Sequence, residues 1–89
     1  GSIFRLGAKT SIGRQDPRLD IDFEGYPEGQ YVSGNHAQII QMNGEFYVED
    51  MGSSNSTYVN DRKLAAGQLE PLKNGDVLRF GKISLTFQS

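Results

Sequence analysis

The sequence predicts an all-β fold, and three observations carry that expectation. Eleven glycines and repeated Asn, Asp and Ser clusters cut the chain into pieces too short for packed helices and about right for strands. The last piece sets Ile83, Leu85 and Phe87 against Ser84, Thr86 and Gln88, the period-two alternation of a strand with one buried face. Between Ala37–Met42 and Glu45–Asp50 lies Asn43-Gly44, a pair that tolerates the positive φ angles of a type I′ turn and so marks a two-residue hairpin.

From the N-terminus, Ile3, Phe4 and Leu6 read as a short strand, Thr10 to Gly13 as a second, and a third falls near Leu19 to Phe23. In the central hairpin Phe46 and Val48 should face the core. A second hairpin runs Thr57-Tyr58-Val59, turns at Asn60-Asp61, and returns along Arg62-Lys63-Leu64. Residues Ala65 to Leu69 read as a loop or one short turn. Val77 to Phe80 is entered through Asn74-Gly75-Asp76 and left at Gly81-Lys82, which pairs it with the final strand. Many strands spaced about eight to twelve residues apart fit a two-sheet sandwich or a small barrel, with the chemistry carried on loops at one end.

The 89 residues suit one domain with one core, and the domain is read as 1–89 with its core at about 3–88; Gly1-Ser2 reads as a cloning scar. No cysteine is present, so neither a disulfide framework nor a thiolate metal site is available, and no cofactor is expected. No apolar run approaches a membrane span, and no signal-peptide order is seen. A formal charge of −2 with scattered cations argues against broad nucleic-acid contact. The expectation is a cytoplasmic domain, monomeric in isolation, whose anion site, if it has one, is local.

Three loop clusters interrupt the strands: Gly13-Arg14, Ser33-Gly34-Asn35-His36, and Ser53-Ser54-Asn55-Ser56-Thr57 followed by Asn60. Arg14 offers a planar guanidinium able to give two parallel N–H donors to phosphate oxygens, and Gly13 lets the backbone turn tightly before it. Ser33 brings a hydroxyl, and with Gly34 it brings backbone N–H groups that a tight loop can aim at one anion. Asn55 carries a donor and an acceptor suited to a ligand's main chain, and Ser54 adds a hydroxyl. Ser33 and His36 do not make a hydrolase signature, since no Gly-x-Ser-x-Gly elbow or orienting third group accompanies them. A metal site is not expected, because one histidine without cysteine leaves only scattered carboxylates. Asp20, Asp22 and Glu24 read as a solvated strand face, lacking calcium-loop spacing. Arg18 and Lys82 read as surface charges that border the ligand site at most.

In order and spacing these clusters, together with Asp50, Leu72, Gly75-Asp76, Leu78, Phe80 and Gly81, resemble the forkhead-associated (FHA) family from about Thr10 to Phe87. The resemblance implies an antiparallel FHA/SMAD-like sandwich of about eleven short strands whose apical loops recognise phosphothreonine. It assigns ligand binding to Arg14, Ser33, Gly34, Ser54 and Asn55. Support of the loops falls to Gly13, His36 and Asn60, with His36 fixing the turn that carries Ser33. A phosphothreonine carries about −1.5 to −2 charges and three strong acceptors, which is what such a donor set fits. A protein partner modified by an upstream Ser/Thr kinase follows, and no catalytic residue is expected. The chain departs from the family pattern at Gly34, where arginine is common, at Ser56, where glycine is usual, and at Asn60-Asp61 in place of Asn-Gly. Gly34 and Ser56 motivate an alternative, a phosphate-independent structural or assembly domain on the same fold.

Overall fold

A computed structural model describes residues 4–89. Gly1, Ser2 and Ile3 lie outside the described residues, and with them the scar reading and the start of the expected first strand. Nine strands are present among the described residues: β1 (Lys9–Gly13), β2 (Ile21–Asp22), β3 (Asn35–Met42), β4 (Glu45–Asp50), β5 (Thr57–Val59), β6 (Arg62–Lys63), β7 (Leu69–Pro71), β8 (Val77–Phe80) and β9 (Ile83–Thr86). One 3₁₀ turn, Gly29–Tyr31, is the only helical element described. The strands form two sheets, a five-stranded one in the order β2-β1-β3-β4-β7 and a four-stranded one in the order β6-β5-β8-β9.

Local chemistry explains the hairpins. Asn43 and Gly44 take φ of 53° and 79°, and Asn60 and Asp61 take 49° and 67°, so both turns have the paired positive φ of type I′. Register follows from burial: Ile39 faces Val48 across β3 and β4, and both side chains are buried. Phe46, two residues back on the same face, packs against the core from its edge. The core joins Ile12, Ile21, Phe23, Ile39 and Val48 to Val59, Leu64, Leu78, Phe80 and Phe87. Phe23 and Phe80 meet across the interior with ring centroids 6.4 Å apart.

Several expectations are corrected. Among the described residues nine strands are present rather than about eleven, and one of those expected is missing because Phe4 and Leu6 pack on the core as side chains without a ladder. The Gly7 N–H is taken instead by Thr10 Oγ1 at 3.1 Å. The sandwich is not wholly antiparallel either. β2 pairs with β1 in parallel, Ile12 beside Ile21 and Gly13 beside Asp22, because the loop after Gly13 returns the chain to the same end before β2 begins. Leu69, read as the end of a loop, opens β7, an edge strand whose Pro71 removes one donor where no further strand needs it.

Gly13 shows how tightly the site end is packed. A Cβ there would lie 2.1 Å from the Gly34 carbonyl oxygen and 3.1 Å from Leu19 Cδ1. The same carbonyl accepts the Arg14 N–H at 3.2 Å, so these two loops are clamped backbone to backbone. Gly13→Ala is therefore expected to destabilise the domain by about 1–3 kcal/mol, the usual cost of overpacking. Urea denaturation of the two proteins checks this.

Candidate functional site

The loops after β1, before β3, after β4 and after β8 meet at one end of the sandwich, and hydrogen bonds join them into one surface. His36 stands at its centre. It opens β3 with its side chain fully buried, packed edge-on against Phe80 at 5.9 Å. Its Nδ1 accepts the Ser33 N–H at 3.0 Å and its Nε2 lies 2.8 Å from the Ser56 carbonyl oxygen. A carbonyl only accepts and an N–H only donates, so the ring is neutral and carries its proton on Nε2. Burial holds its pKa below the ordinary histidine value, against the opposing pull of the Ser56 carbonyl and the Asp50 charge.

Both ring nitrogens are thus spent on backbone groups, and neither faces the Ser33 hydroxyl. That oxygen accepts the Ser54 N–H at 2.9 Å, which ties the two serine loops together and leaves the hydroxyl hydrogen without an acceptor among the described residues. A base–nucleophile pair is absent from this geometry.

Arg14 is held from one side and open on the other. Its Nε donates to the Val32 carbonyl at 2.9 Å, while Nη1 reaches Glu24 at 3.4 Å and Nη2 has no partner among the described residues. Its side chain is 26% exposed. The turn that presents it places Gln15 at φ 65° and is fastened by Asp22, whose Oδ1 accepts the Gln15 and Glu24 N–H groups. Asp20 likewise accepts from the Ser11 N–H and hydroxyl. The carboxylates expected to be a solvated strand face do lie at the surface, Asp20 and Glu24 exposed and Asp22 partly so; there Asp22 and Glu24 fasten the Arg14 loop, while Asp20 is tied to Ser11 on β1. Among the described residues no group of three His, Cys, Asp or Glu is arranged to hold a metal.

The loop after β4 is organised by Asp50, a buried carboxylate whose role residue order did not disclose. Its Oδ2 accepts the Gly52 and Ser53 N–H groups at 3.0 and 3.1 Å; its Oδ1 accepts the Ser53 hydroxyl and, at 2.8 Å, the Thr57 hydroxyl. Burial pushes its pKa up, but the Ser53 and Thr57 hydroxyls and the two backbone donors outweigh that and hold it below the ordinary carboxylate value. An aspartate two residues before a glycine and three before a serine is an Asx-turn signal, and that was the available cue.

Asn55 follows on this loop. Its Nδ2 donates to the Tyr31 carbonyl at 3.0 Å, leaving Oδ1 and the second amide hydrogen without partners among the described residues. Ser56 sits at φ 67°, the left-handed conformation that glycine would adopt freely. Its carbonyl receives two donors, His36 Nε2 and the Gly81 N–H at 3.3 Å. The structure thus brings Arg14, Ser33, Gly34, Ser54 and Asn55 to one end, on supports from Gly13 and His36. Asn60 is elsewhere: past the far end of β5, it donates to Asp76 and accepts the Val77 N–H, both at 2.9 Å. It ties loops together, though not those of the site. Tyr31 was not foreseen, because its carbonyl does the work and side-chain identity gives no signal for that.

The arrangement matches a known family. The FHA domain model matches residues 10–81, and the chain belongs to this family, one of recognition modules. Among curated relatives, Protein FraH of Nostoc sp. is 38% identical over 73 residues, covering 80% of this chain and 25% of that protein. The glycogen accumulation regulator GarA of Mycolicibacterium smegmatis is 37% identical over 87 residues, covering 98% of this chain and 51% of that protein. The chain therefore spans at most about half the length of these relatives. Mycobacterium tuberculosis EmbR, solved with a low-affinity phosphopeptide, superposes with a TM-score of 0.77 at 30% identity, over 91% of this chain and 20% of that one.

The buried neutral His36 makes stability depend on pH with a definite sign. Its folded pKa lies below the unfolded value of about 6.5, so the stabilisation is complete above that pH. As pH falls from there toward the folded pKa, the unfolded chain takes up a proton that the folded chain refuses, and stability declines. His36 is the chain's single histidine, so the decline between about pH 6.5 and 5 is its own. Urea midpoints across that range, with NMR titration of the ring, measure it; a pH-independent midpoint contradicts the assignment.

Proposed function

We propose that this chain is a phosphothreonine-recognition module that contacts its ligand through Arg14, Ser33, Gly34, Ser54 and Asn55. The observation that carries the reading is Arg14. Its guanidinium is aimed by Val32, its outer nitrogen is unclaimed among the described residues, and the Ser33 hydroxyl is carried on a neighbouring loop. The Gly34 N–H likewise has no partner among the described residues. A fixed cation with neutral donors around it suits a dianionic group with three acceptor oxygens. Asn55 keeps an acceptor and a donor for the peptide main chain.

One observation favours the alternative of a phosphate-independent assembly domain: Glu24 already lies on Arg14. The magnitudes decide against it. A pair at 3.4 Å with Glu24 half exposed contributes about 0–1 kcal/mol, whereas each hydrogen bond to a charged phosphate contributes about 1.5–3. A phosphate displaces the carboxylate. On this reading the domain acts where Ser/Thr kinases act, in the cytoplasm, as a monomer that catalyses nothing itself.

Calorimetric titration with a phosphothreonine peptide and its unphosphorylated twin tests the proposal. Binding near micromolar, about 8 kcal/mol, is expected for the phosphopeptide alone. Arg14→Ala should weaken it about a hundredfold or more. Equal binding of the two peptides, unaffected by that substitution, overturns the reading.

Gly34 supplies a second check. A Cβ there meets only the Arg14 carbonyl oxygen, at 3.6 Å, an ordinary contact, and its φ is not positive. Gly34→Arg is accommodated and should raise phosphopeptide affinity about tenfold by adding one charge-assisted hydrogen bond. The same titration reads it.

A further inference from the structure

We propose that Lys82, held on the face of Tyr31, selects an acidic side chain flanking the phosphothreonine. The inference rests on the phosphothreonine reading of the Arg14 site and adds a second, separate anion contact to it.

Four cations lie in the loops of this end or close beside them, and they differ in what holds them; Arg79 lies over the Tyr58 ring and gives Nη1 to the Gly81 carbonyl. Arg14 reaches Glu24, and Arg18, almost fully exposed, is closed onto Asp16 by two side-chain hydrogen bonds. Arg18 is thereby neutralised by its own loop. Lys82 has no carboxylate within ion-pair distance among the described residues; its Nζ sits 4.0 Å from the centroid of the Tyr31 ring. A cation over an aromatic face turns part of its ammonium toward the ring and keeps at least one N–H on the solvent side available for an anion. An unpaired lysine normally sweeps through solvent. This one is localised.

Its location is what gives it a role. The Gly81-Lys82 turn is seated on Tyr31: a Cβ at Gly81 would lie 2.3 Å from the Tyr31 carbonyl oxygen and 3.1 Å from Tyr31 Cβ. The Gly81 N–H also reaches the Ser56 carbonyl at 3.3 Å. Tyr31 therefore takes Asn55 on its carbonyl and Lys82 on its ring. The residue suited to the ligand's main chain and the localised ammonium share one support. A peptide whose phosphate lies on Arg14 and whose backbone runs past Asn55 travels toward Lys82. In a chain of net charge −2, a fixed lysine with open donors marks a place for a carboxylate.

The test is a set of phosphothreonine peptides in which aspartate or lysine replaces alanine at each flanking position in turn, titrated against wild type, Lys82→Ala and Lys82→Glu, with Arg14→Ala as control. In wild type, aspartate at one position should tighten binding about threefold to fivefold, the range of an exposed ion pair, and less in high salt. Lys82→Ala should remove that gain while keeping affinity for the alanine peptide. Lys82→Glu should shift the preference at the same position to lysine, and both variants should retain the wild-type NMR fingerprint away from the turn. Phosphate-dependent binding with no acid-responsive position, or a gain that survives in Lys82→Ala, overturns this inference and leaves the phosphothreonine reading standing. Equal binding of phosphorylated and unphosphorylated peptides overturns that reading, and the subsite with it.

Discussion

The recognition end depends on one buried, neutral imidazole. His36 touches both the loop carrying Ser33 and the loop carrying Asn55, each through a backbone atom, and the Ser33–Ser54 and Asn55–Tyr31 hydrogen bonds join the same loops nearer the surface. An isolated loop of this length has no reason to hold one conformation, since each ordered residue costs about 1–2 kcal/mol of backbone entropy. Two hydrogen bonds made by a fully buried imidazole, backed by the Phe80 ring, supply that reason. A lysine or arginine offers only donors and an ionised carboxylate only acceptors, whereas this position needs one of each, which the neutral imidazole supplies on separate edges of a rigid plane.

Around that centre, conformations that are individually unfavourable are fastened by neighbours. Ser56 is held left-handed because its carbonyl must meet both His36 and Gly81. Gln15, also left-handed, is held by Asp22. Asp50 gathers four donors and removes most of the freedom of the Ser53 loop. The strain and the fasteners sit together, as expected where a surface must be ready before its ligand arrives. Left without partners among the described residues are the guanidinium edge of Arg14, the hydroxyl hydrogen of Ser33 and part of the Asn55 amide.

Much of this was legible in residue order. Period-two alternation placed the last strand, Asn43-Gly44 and Asn60-Asp61 placed both tight hairpins, and the ordered clusters marked loops that the fold gathers at one end. Those signals are local, so sequence carries them. The errors were non-local. The parallel pairing of β2 depends on how a loop folds back, the loss of a ladder at Phe4 and Leu6 depends on where Thr10 points, and β7 depends on a neighbour, β4, some twenty residues earlier.

By itself the sequence determined that this is a strand-rich chain with a serine-and-asparagine loop set around one arginine, because turn chemistry and side-chain type are properties of single residues and near neighbours. Only the tertiary structure decided what those residues do for one another. It gave the surface carboxylates Asp22 and Glu24 partners in the Arg14 loop, moved Asn60 to the other end of β5, and set Lys82 on the ring of Tyr31, whose carbonyl takes Asn55. The physical reason is that hydrogen bonds across loops, and the burial that strengthens them, join residues between about ten and fifty positions apart. Such pairings are set by how two sheets pack, and packing is a property of the whole chain.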